Sequence, residues 1–270
     1  MILNKIIANK KVELLKRKEM LPFSVLKGTL SDVALPLPLA PALRRPGRVA
    51  IIAETKKASP SKGIICDNFD PVKLAREYET AGAAAISVLT EEKFFLGRPS
   101  HLAGVKRAVK IPVVRKDFII DPYQVYESRA LGADAILLIV AALSFEQLKE
   151  LIELARELGL SGLVEVHTEP ELEHACRAGA DIIGINNRDL NTFKTDLNRT
   201  FELMKFIDKQ KYIVVSESGI KSHTDLIGLK DCGVHAALVG EALVGSAFPG
   251  EALKRLGGCS GERGAGLCRV

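Results

Sequence analysis

A pattern that recurs along this chain limits its fold more than any other feature. A glycine, a short link and an apolar run appear as A-G-A-A-A-I-S-V-L-T from Ala81, L-G-A-D-A-I-L-L-I-V from Leu131, A-G-A-D-I-I-G-I-N-N from Ala178 and C-G-V-H-A-A-L-V-G-E from Cys232. Each glycine (Gly82, Gly132, Gly179, Gly233) suits a helix C-terminus, because glycine enters positive φ without steric cost. Each run suits a strand covered on both faces, as in a parallel sheet. The stretches before the glycines are spaced as helices. Ser144 to Leu158 puts Phe145, Leu148, Leu151, Ile152 and Leu154-Ala155 on one side, and Pro71 to Thr80, Pro122 to Ala130, Glu169 to Arg177 and Ser222 to Lys230 fit helices too. Asp70-Pro71 and Asp121-Pro122 read as caps with proline in the first turn.

Further apolar runs at Val49 to Ala53, Val113-Val114, Gly162 to Val166 and Tyr212 to Ser216 fill the gaps. Eight strands then end near Glu54, Thr90, Asp117, Val140, His167, Asn187, Glu217 and Glu241. This alternation predicts an α/β chain, a (β/α)8 TIM barrel with an N-terminal helical extension. The 270 residues suffice, since such a barrel takes about 250. An open doubly wound sheet is the alternative, but no G-x-G-x-x-G follows the first strand, against a dinucleotide version. The expected division is an extension over 1–47, a catalytic barrel over 48–256 and a glycine-rich, disordered tail over 257–270. In the extension, Ile2 to Lys18 reads as an amphipathic helix with Leu3, Ile6-Ile7, Leu14 and Leu15 as its apolar side, closing over the barrel mouth. Leu35-Pro36-Leu37-Pro38 and Pro41 read as an extended link.

Composition narrows the function. The net charge of +5 comes from 38 basic and 33 acidic residues spread along the chain, and aromatics are 5%. The one dense basic stretch, Lys10-Lys11 through Lys16-Arg17-Lys18, is interrupted by acids, so a small anionic substrate is expected rather than nucleic acid. Cys66, Cys176, Cys232, Cys259 and Cys268 form no Cys-x-x-Cys pair, which fits a reduced cytoplasmic protein without a zinc site. The start lacks signal-peptide features, and the longest apolar run, Ala135 to Leu143, is too short to span a bilayer.

In such barrels the site lies at the C-terminal strand ends. Those ends read A-E-T-K-K, V-R-K-D-F, L-V-E-V-H, I-N-N-R, S-E-S-G-I and V-G-E, so charge gathers at one rim. Glu54 and Lys56 share a strand face. With Lys116, Glu165 and Glu217 they could pair with one another or exchange protons with a substrate. The alternatives are a structural Glu54–Lys56 pair and a surface Lys116–Asp117 pair. His167 has no evident partner, the remaining histidines lack metal-ligand spacing, and Glu241 reads as an acid at a helix start. Ser218-Gly219 and Gly240 follow the last two strands, where barrels bind phosphate through backbone N–H groups.

These blocks resemble the indole-3-glycerol phosphate synthase family. The resemblance covers residues 2 to about 256 through A-E-T-K-K-A-S-P-S-K-G (Ala53 to Gly63), V-R-K-D-F-I, L-V-E-V-H, I-G-I-N-N-R-D-L and S-E-S-G-I, in the family's order. It implies conversion of 1-(2-carboxyphenylamino)-1-deoxyribulose 5-phosphate to indole-3-glycerol phosphate with release of carbon dioxide and water. No metal or organic cofactor is implied, and the partners implied are the phosphosugar-anthranilate substrate and other tryptophan-pathway enzymes. By resemblance Lys116 is the general acid at the ribulose carbonyl, and Lys56 and Glu165 are the acid–base pair of dehydration, in either assignment. Glu54, Asn186 and Glu217 would orient the lysines and sugar hydroxyls. Ser218, Gly219 and Gly240 match the phosphate region, and Arg188 the partner of the anthranilate carboxylate. Phe95, Phe118 and Leu190 match apolar positions around the ring, and Lys57 to Gly63, with Ser59, a mobile lid. Glu241 and Val244-Gly245 depart from the family pattern. Two other classes compete: a phosphosugar isomerase, which would lack the lysine–glutamate set, and a binding module using the basic N-terminal helix.

Overall fold

In the computed structural model, which describes residues 2–189 and 192–258, all four glycines of the repeat are left-handed. Their φ values are 96°, 84°, 91° and 90°, and Gly159 joins them at 76°. After each, the next N–H reaches back into the helix: Ala83 to Tyr78, Ala133 to Ser128, Ala180 to Ala175, Val234 to Leu229 and Leu160 to Ala155. This return satisfies carbonyls a helix end would leave bare. Helix starts are equally explicit. Asp70, Asp121, Thr168, Ser144 and Ser222 accept backbone N–H groups through their side chains.

The strands are β1 (Ala50–Thr55), β2 (Ala85–Leu89), β3 (Val113–Lys116), β4 (Ala135–Ile139), β5 (Ser161–Val166), β6 (Ile182–Asn186), β7 (Ile213–Glu217) and β8 (Ala236–Val239). Each pairs in parallel with its neighbours, and β8 pairs with β1 to close the barrel. The open-sheet alternative is thereby excluded. The helices are α1 (Ile2–Met20), α2 (Phe23–Gly28), α3 (Leu39–Leu43), α4 (Pro71–Thr80), α5 (Pro99–Ala108), α6 (Pro122–Ala130), α7 (Phe145–Glu157), α8 (Glu169–Arg177), α9 (Asn198–Leu203), α10 (His223–Asp231), α11 (Glu241–Val244) and α12 (Pro249–Leu256). The segments now seen as α5, α9 and α12 supply helices of the alternation for which the sequence pattern set no bounds.

Strand alternation sorts the core into two shells. Outward residues such as Ile86, Ile136, Val164 and Ile183 pack under the helices. Inward residues, among them Ile52, Val114, Leu137, Leu163, Ile182, Val215 and Leu238, fill the interior. Leu39 and Leu43 of α3 are fully buried in that inner shell, beside Ala50, Ile182 and Ile213 at the strand starts. They close the barrel floor. The expected extended link is therefore partly helical, and Pro41 is tolerated because it stands in the first turn, where its missing N–H costs nothing.

Helix α1 also departs from expectation. Its buried residues are Leu3, Ile6, Lys10 and Leu14, whereas Leu15 is 64% exposed. A lysine sits within the buried stripe because Asp117 meets it there, at 3.0 Å. Arg17 pairs with Glu92 and Glu127, and Lys18 with Asp121. Much of the basic stretch is thus matched by acids of the barrel. The calls on the tail beyond Gly258, including Cys259 and Cys268, lie outside the described residues.

Candidate active site

Above the inner shell, the same strand faces turn polar. One step past Ile52, Val114, Leu163, Gly184 and Val215 along the inward face stand Glu54, Lys116, Glu165, Asn186 and Glu217. In the parallel register Asn186 lies opposite Glu217, and Glu165 opposite Ile139 and Gly184. A cavity of about 580 Å³ opens over this layer. Its wall includes Glu54, Lys56, Lys116, Glu165, Asn186 and Glu217, and Ile2, Leu3 and Ile6 of α1 complete it from the mouth side.

The charges pair across the barrel. Lys56 Nζ donates to Glu54 Oε1 at 2.6 Å. Lys116 Nζ donates to Glu165 Oε2 at 3.3 Å and lies 3.5 Å from Glu217 Oε2. The surface Lys116–Asp117 alternative is excluded, since Asp117 turns away to Lys10 and Arg115. Burial disfavours the Lys116 cation, but Glu165, Glu217 and Glu54 outweigh it and hold its pKa well above the usual lysine value. Burial would also push Glu165 up, yet Lys116, His167 and a hydrogen bond from Asn186 keep it below the ordinary carboxylate range. Glu217 goes the other way. Burial, then repulsion from Glu165 and Glu54, push it up to about 7 despite Lys116. Among the described residues neither of its carboxylate oxygens has a hydrogen bond. The mouth therefore sets a carboxyl drawn down, Glu165, and one drawn up, Glu217, around the strongly cationic Lys116.

Two glycines make this possible. A Cβ on Gly184 would collide with the Glu217 carboxylate, and one on Gly240 with that of Glu54. Gly184 was not singled out in the sequence, although a glycine inside a strand signals close approach of another group.

Ser218 and Gly219 are both left-handed, at φ 67° and 82°, and line the cavity with Gly240 and Lys221. A non-glycine residue at positive φ needs support. Asn187 supplies it: its amide donates to Ser216 Oγ, Glu217 O and Ser218 O, while its oxygen accepts from Thr200. Asn187 was passed over in the sequence. The signal was its outward register, since a polar side chain between strand and helix must find partners.

Phe95 and Phe118 face the cavity with ring centroids 6.3 Å apart. Phe95 is set by the buried Glu91, which accepts the N–H groups of Phe94 and Phe95. Leu190 lies outside the described residues. The lid segment forms a small hairpin, Ala58–Ser59 against Gly63–Ile64, and Ser59 is a buried wall residue.

Two readings need correction. Glu241 is more than an acid at a helix start: Arg188 Nη2 meets its Oε1 at 2.7 Å and Lys62 its Oε2 at 3.0 Å. His167 is not without partners: Nδ1 is 3.2 Å from Glu171 Oε2 and Nε2 is 3.5 Å from Glu165 Oε1. Among the described residues no group of three or more His, Cys, Asp or Glu is placed to hold a metal ion.

Comparison with known proteins gives a consistent result. The family model described as indole-3-glycerol phosphate synthase matches residues 3–256. The indole-3-glycerol phosphate synthase of Carboxydothermus hydrogenoformans is 46% identical, covering 95% of this chain and 99% of its own length. That of Dehalococcoides mccartyi strain CBDB1 is 53% identical over 91% of this chain and 96% of its own. Among solved structures, 3-hexulose-6-phosphate synthase from Salmonella typhimurium aligns with a TM-score of 0.64 at 14% identity, covering 78% of this chain and 98% of that one, a likeness of fold alone.

Proposed function

The chain belongs to the indole-3-glycerol phosphate synthase family, and on that premise we propose how its mouth carries out the family's reaction. The enzyme is a carboxy-lyase of tryptophan biosynthesis. It closes the ring of 1-(2-carboxyphenylamino)-1-deoxyribulose 5-phosphate, losing carbon dioxide and water, to give indole-3-glycerol phosphate.

The substrate phosphate rests on the Ser218–Gly219 turn and the Gly240 backbone. Its aromatic ring enters beside Phe95 and Phe118, with Ser59 nearby. Its carboxylate takes Arg188 bidentately, displacing Glu241. The ring carbon bearing the carboxylate attacks the ribulose carbonyl carbon, and Lys116 gives a proton to the carbonyl oxygen. Carbon dioxide leaves, and the electrons of the broken C–C bond restore the aromatic ring. Lys56 protonates the new hydroxyl, which departs as water. Glu165 takes a proton from the carbon beside the nitrogen, and the double bond forms. Glu165 suits the base because its carboxyl is held ionised, and Glu54 keeps Lys56 in place. Asn186 and Glu217 orient Glu165 and Lys116.

The observation that supports this reading is the placement of Lys116 within 3.5 Å of two buried carboxylates on the wall of a single cavity shared with the left-handed turn. In the same reading 48–256 is the catalytic unit, and 1–47 supplies its lid and floor. We also infer a cytoplasmic enzyme, in keeping with the free thiols of Cys66, Cys176 and Cys232, that exchanges substrate and product with other enzymes of its pathway.

The test is stoichiometry. Purified protein given the substrate should release one carbon dioxide per indole chromophore, and Glu165→Gln should slow a single turnover about 10²–10⁴-fold. Product without carbon dioxide would point to an isomerase instead.

A further inference from the structure

Glu241 takes no part in the reaction scheme except to give way when the substrate carboxylate reaches Arg188. Yet its side chain is built into the mouth with some care, between two cations that come from two other strand ends.

Arg188 follows β6, and its backbone N–H donates to Asn186 Oδ1 at 3.0 Å. A bridge to Thr195 pins the same backbone from the other side. With its root fixed, the guanidinium reaches the cavity wall, where Nη1 lies 3.4 Å from Phe193 O and 3.5 Å from Ser61 Oγ. Nη2 meets Glu241 Oε1 at 2.7 Å. Glu241 opens α11, directly after the Gly240 that lets the chain pass close to Glu54. Its other oxygen, Oε2, meets Lys62 from the turn of the lid hairpin at 3.0 Å. The two oxygens serve two cations, so Glu241 can release Arg188 and still keep Lys62. Burial pushes the Glu241 carboxyl up, but a hydrogen bond from Lys62 and the charges of Arg188, Lys56 and Lys62 outweigh it and hold it below the ordinary value. A carboxylate therefore already occupies the edge of the guanidinium that the ring carboxylate has to take.

The Arg188 side chain is only 21% exposed, and a cation so placed is costly without a partner. Glu241 meets that need in the empty site. A ligand with no carboxylate leaves the pair intact, whereas one with a carboxylate must exchange one ion pair for another. We propose that Glu241 is a positioning residue acting through Arg188: it holds the guanidinium while no ligand carboxylate is present, competes with the substrate carboxylate for it, and so sets how strongly the site prefers a carboxylated ligand. This rests on the reading of Arg188 as the partner of that carboxylate. The competition tempers the hold on the ring carboxylate in the substrate complex, where tighter binding would only deepen the ground state. Once carbon dioxide has left, Glu241 takes Arg188 back, and the product gains nothing from the guanidinium.

Two probes read this competition. One is the substrate with its ketone reduced to the alcohol, which cannot close the ring; the other is the same compound without the ring carboxylate. Both sit under the same lid, so the ratio of their affinities, from titration calorimetry, cancels effects of the lid. In Glu241→Gln the preference for the carboxylated probe should rise about tenfold over wild type, because a charge-assisted contact is no longer given up. Lys62→Met, which frees the lid alone, should leave the preference within about twofold of wild type. The product, indole-3-glycerol phosphate, should follow the probe without the carboxylate. An unchanged preference in Glu241→Gln would overturn the competition. So would an equal rise in Lys62→Met, which would trace the effect to the lid, or a product affinity that rises with that of the carboxylated probe. Adding Arg188→Gln to Glu241→Gln keeps the two ideas apart, since it should abolish the preference gained. A preference that persists there would move the ring carboxylate away from Arg188 and remove that reading. A preference that never rises in Glu241→Gln, yet is lost once Arg188 is replaced, would remove the role of Glu241 alone.

Discussion

Arg115 and Lys116 are neighbours on one strand, yet they anchor two buried charge clusters of opposite character. Arg115 points outward, and its guanidinium meets Thr90, Gln124, Ser128, Asp117 and Glu127. Asp117 in turn holds Lys10, Thr90 and its neighbour's N–H. Donors and acceptors here are saturated. Burial works against the Asp117 carboxylate, but Lys10 and Arg115 prevail and hold it far below the usual range. Lys116 points inward, to contacts of 3.3 and 3.5 Å and to a Glu217 with no hydrogen bond. Saturated pairing fixes one protonation state and gives rigidity. Looser pairing around a cavity leaves protons free to move. The same burial therefore yields a strut on one face of the strand and a reaction centre on the other.

The contrast can be broken most sharply at the two cations themselves. Lys116→Met should cut turnover about 10²–10⁴-fold while melting stays within a few degrees, read by indole absorbance and calorimetry. Arg115→Met should do the reverse, since it leaves Glu127 with Arg17 alone and weakens the hold on Asp117. Equal losses of activity in both would erase the distinction. Next in size, Asp117→Asn should cost about 3–5 kcal/mol in urea unfolding, because it leaves Arg115 and Lys10 short of their counter-charge. Activity of the folded fraction should change little.

Lys10→Met probes the seam between the clusters. It unpins α1, which carries Ile2, Leu3 and Ile6 of the cavity wall, so KM should rise several-fold with a smaller change in kcat. An unchanged KM would mean that the apolar contacts and the ion pairs of Arg17 and Lys18 seat the helix without Lys10. The smallest effect concerns Glu217. Its folded pKa is raised to about 7, so the folded state keeps a proton that the unfolded chain releases near its ordinary value. Stability should thus fall as pH rises through that window. Glu217→Gln should remove this slope, and its melting temperature should gain on wild type by about a few degrees between pH 5 and 8.

The parts legible in the sequence were those set by local rules. Glycine at positive φ ended the helices, and two-sided burial made the strands uniformly apolar. Strand alternation then lifted Glu54, Lys116, Glu165 and Glu217 to a common level. The illegible parts depend on residues distant in sequence. Lys10 reads as surface charge until Asp117 arrives beside it. Asn187 has no visible task until Thr200 and Ser218 approach, and Glu241 none until Arg188 and Lys62 do. Leu39 and Leu43 looked like a linker because no periodicity survives among the prolines. His167 lacked a partner for the same reason: Glu171 reaches it only once the cap at Thr168 has formed.

The plugged floor has a consequence for traffic. Leu39 and Leu43 fill the end of the barrel opposite the mouth, so among the described residues that end is packed with apolar side chains. The cavity mouth beneath the first turns of α1 then serves departing carbon dioxide, water and indole product as well as incoming substrate. The seating of that helix thus bears on departures as well as arrivals.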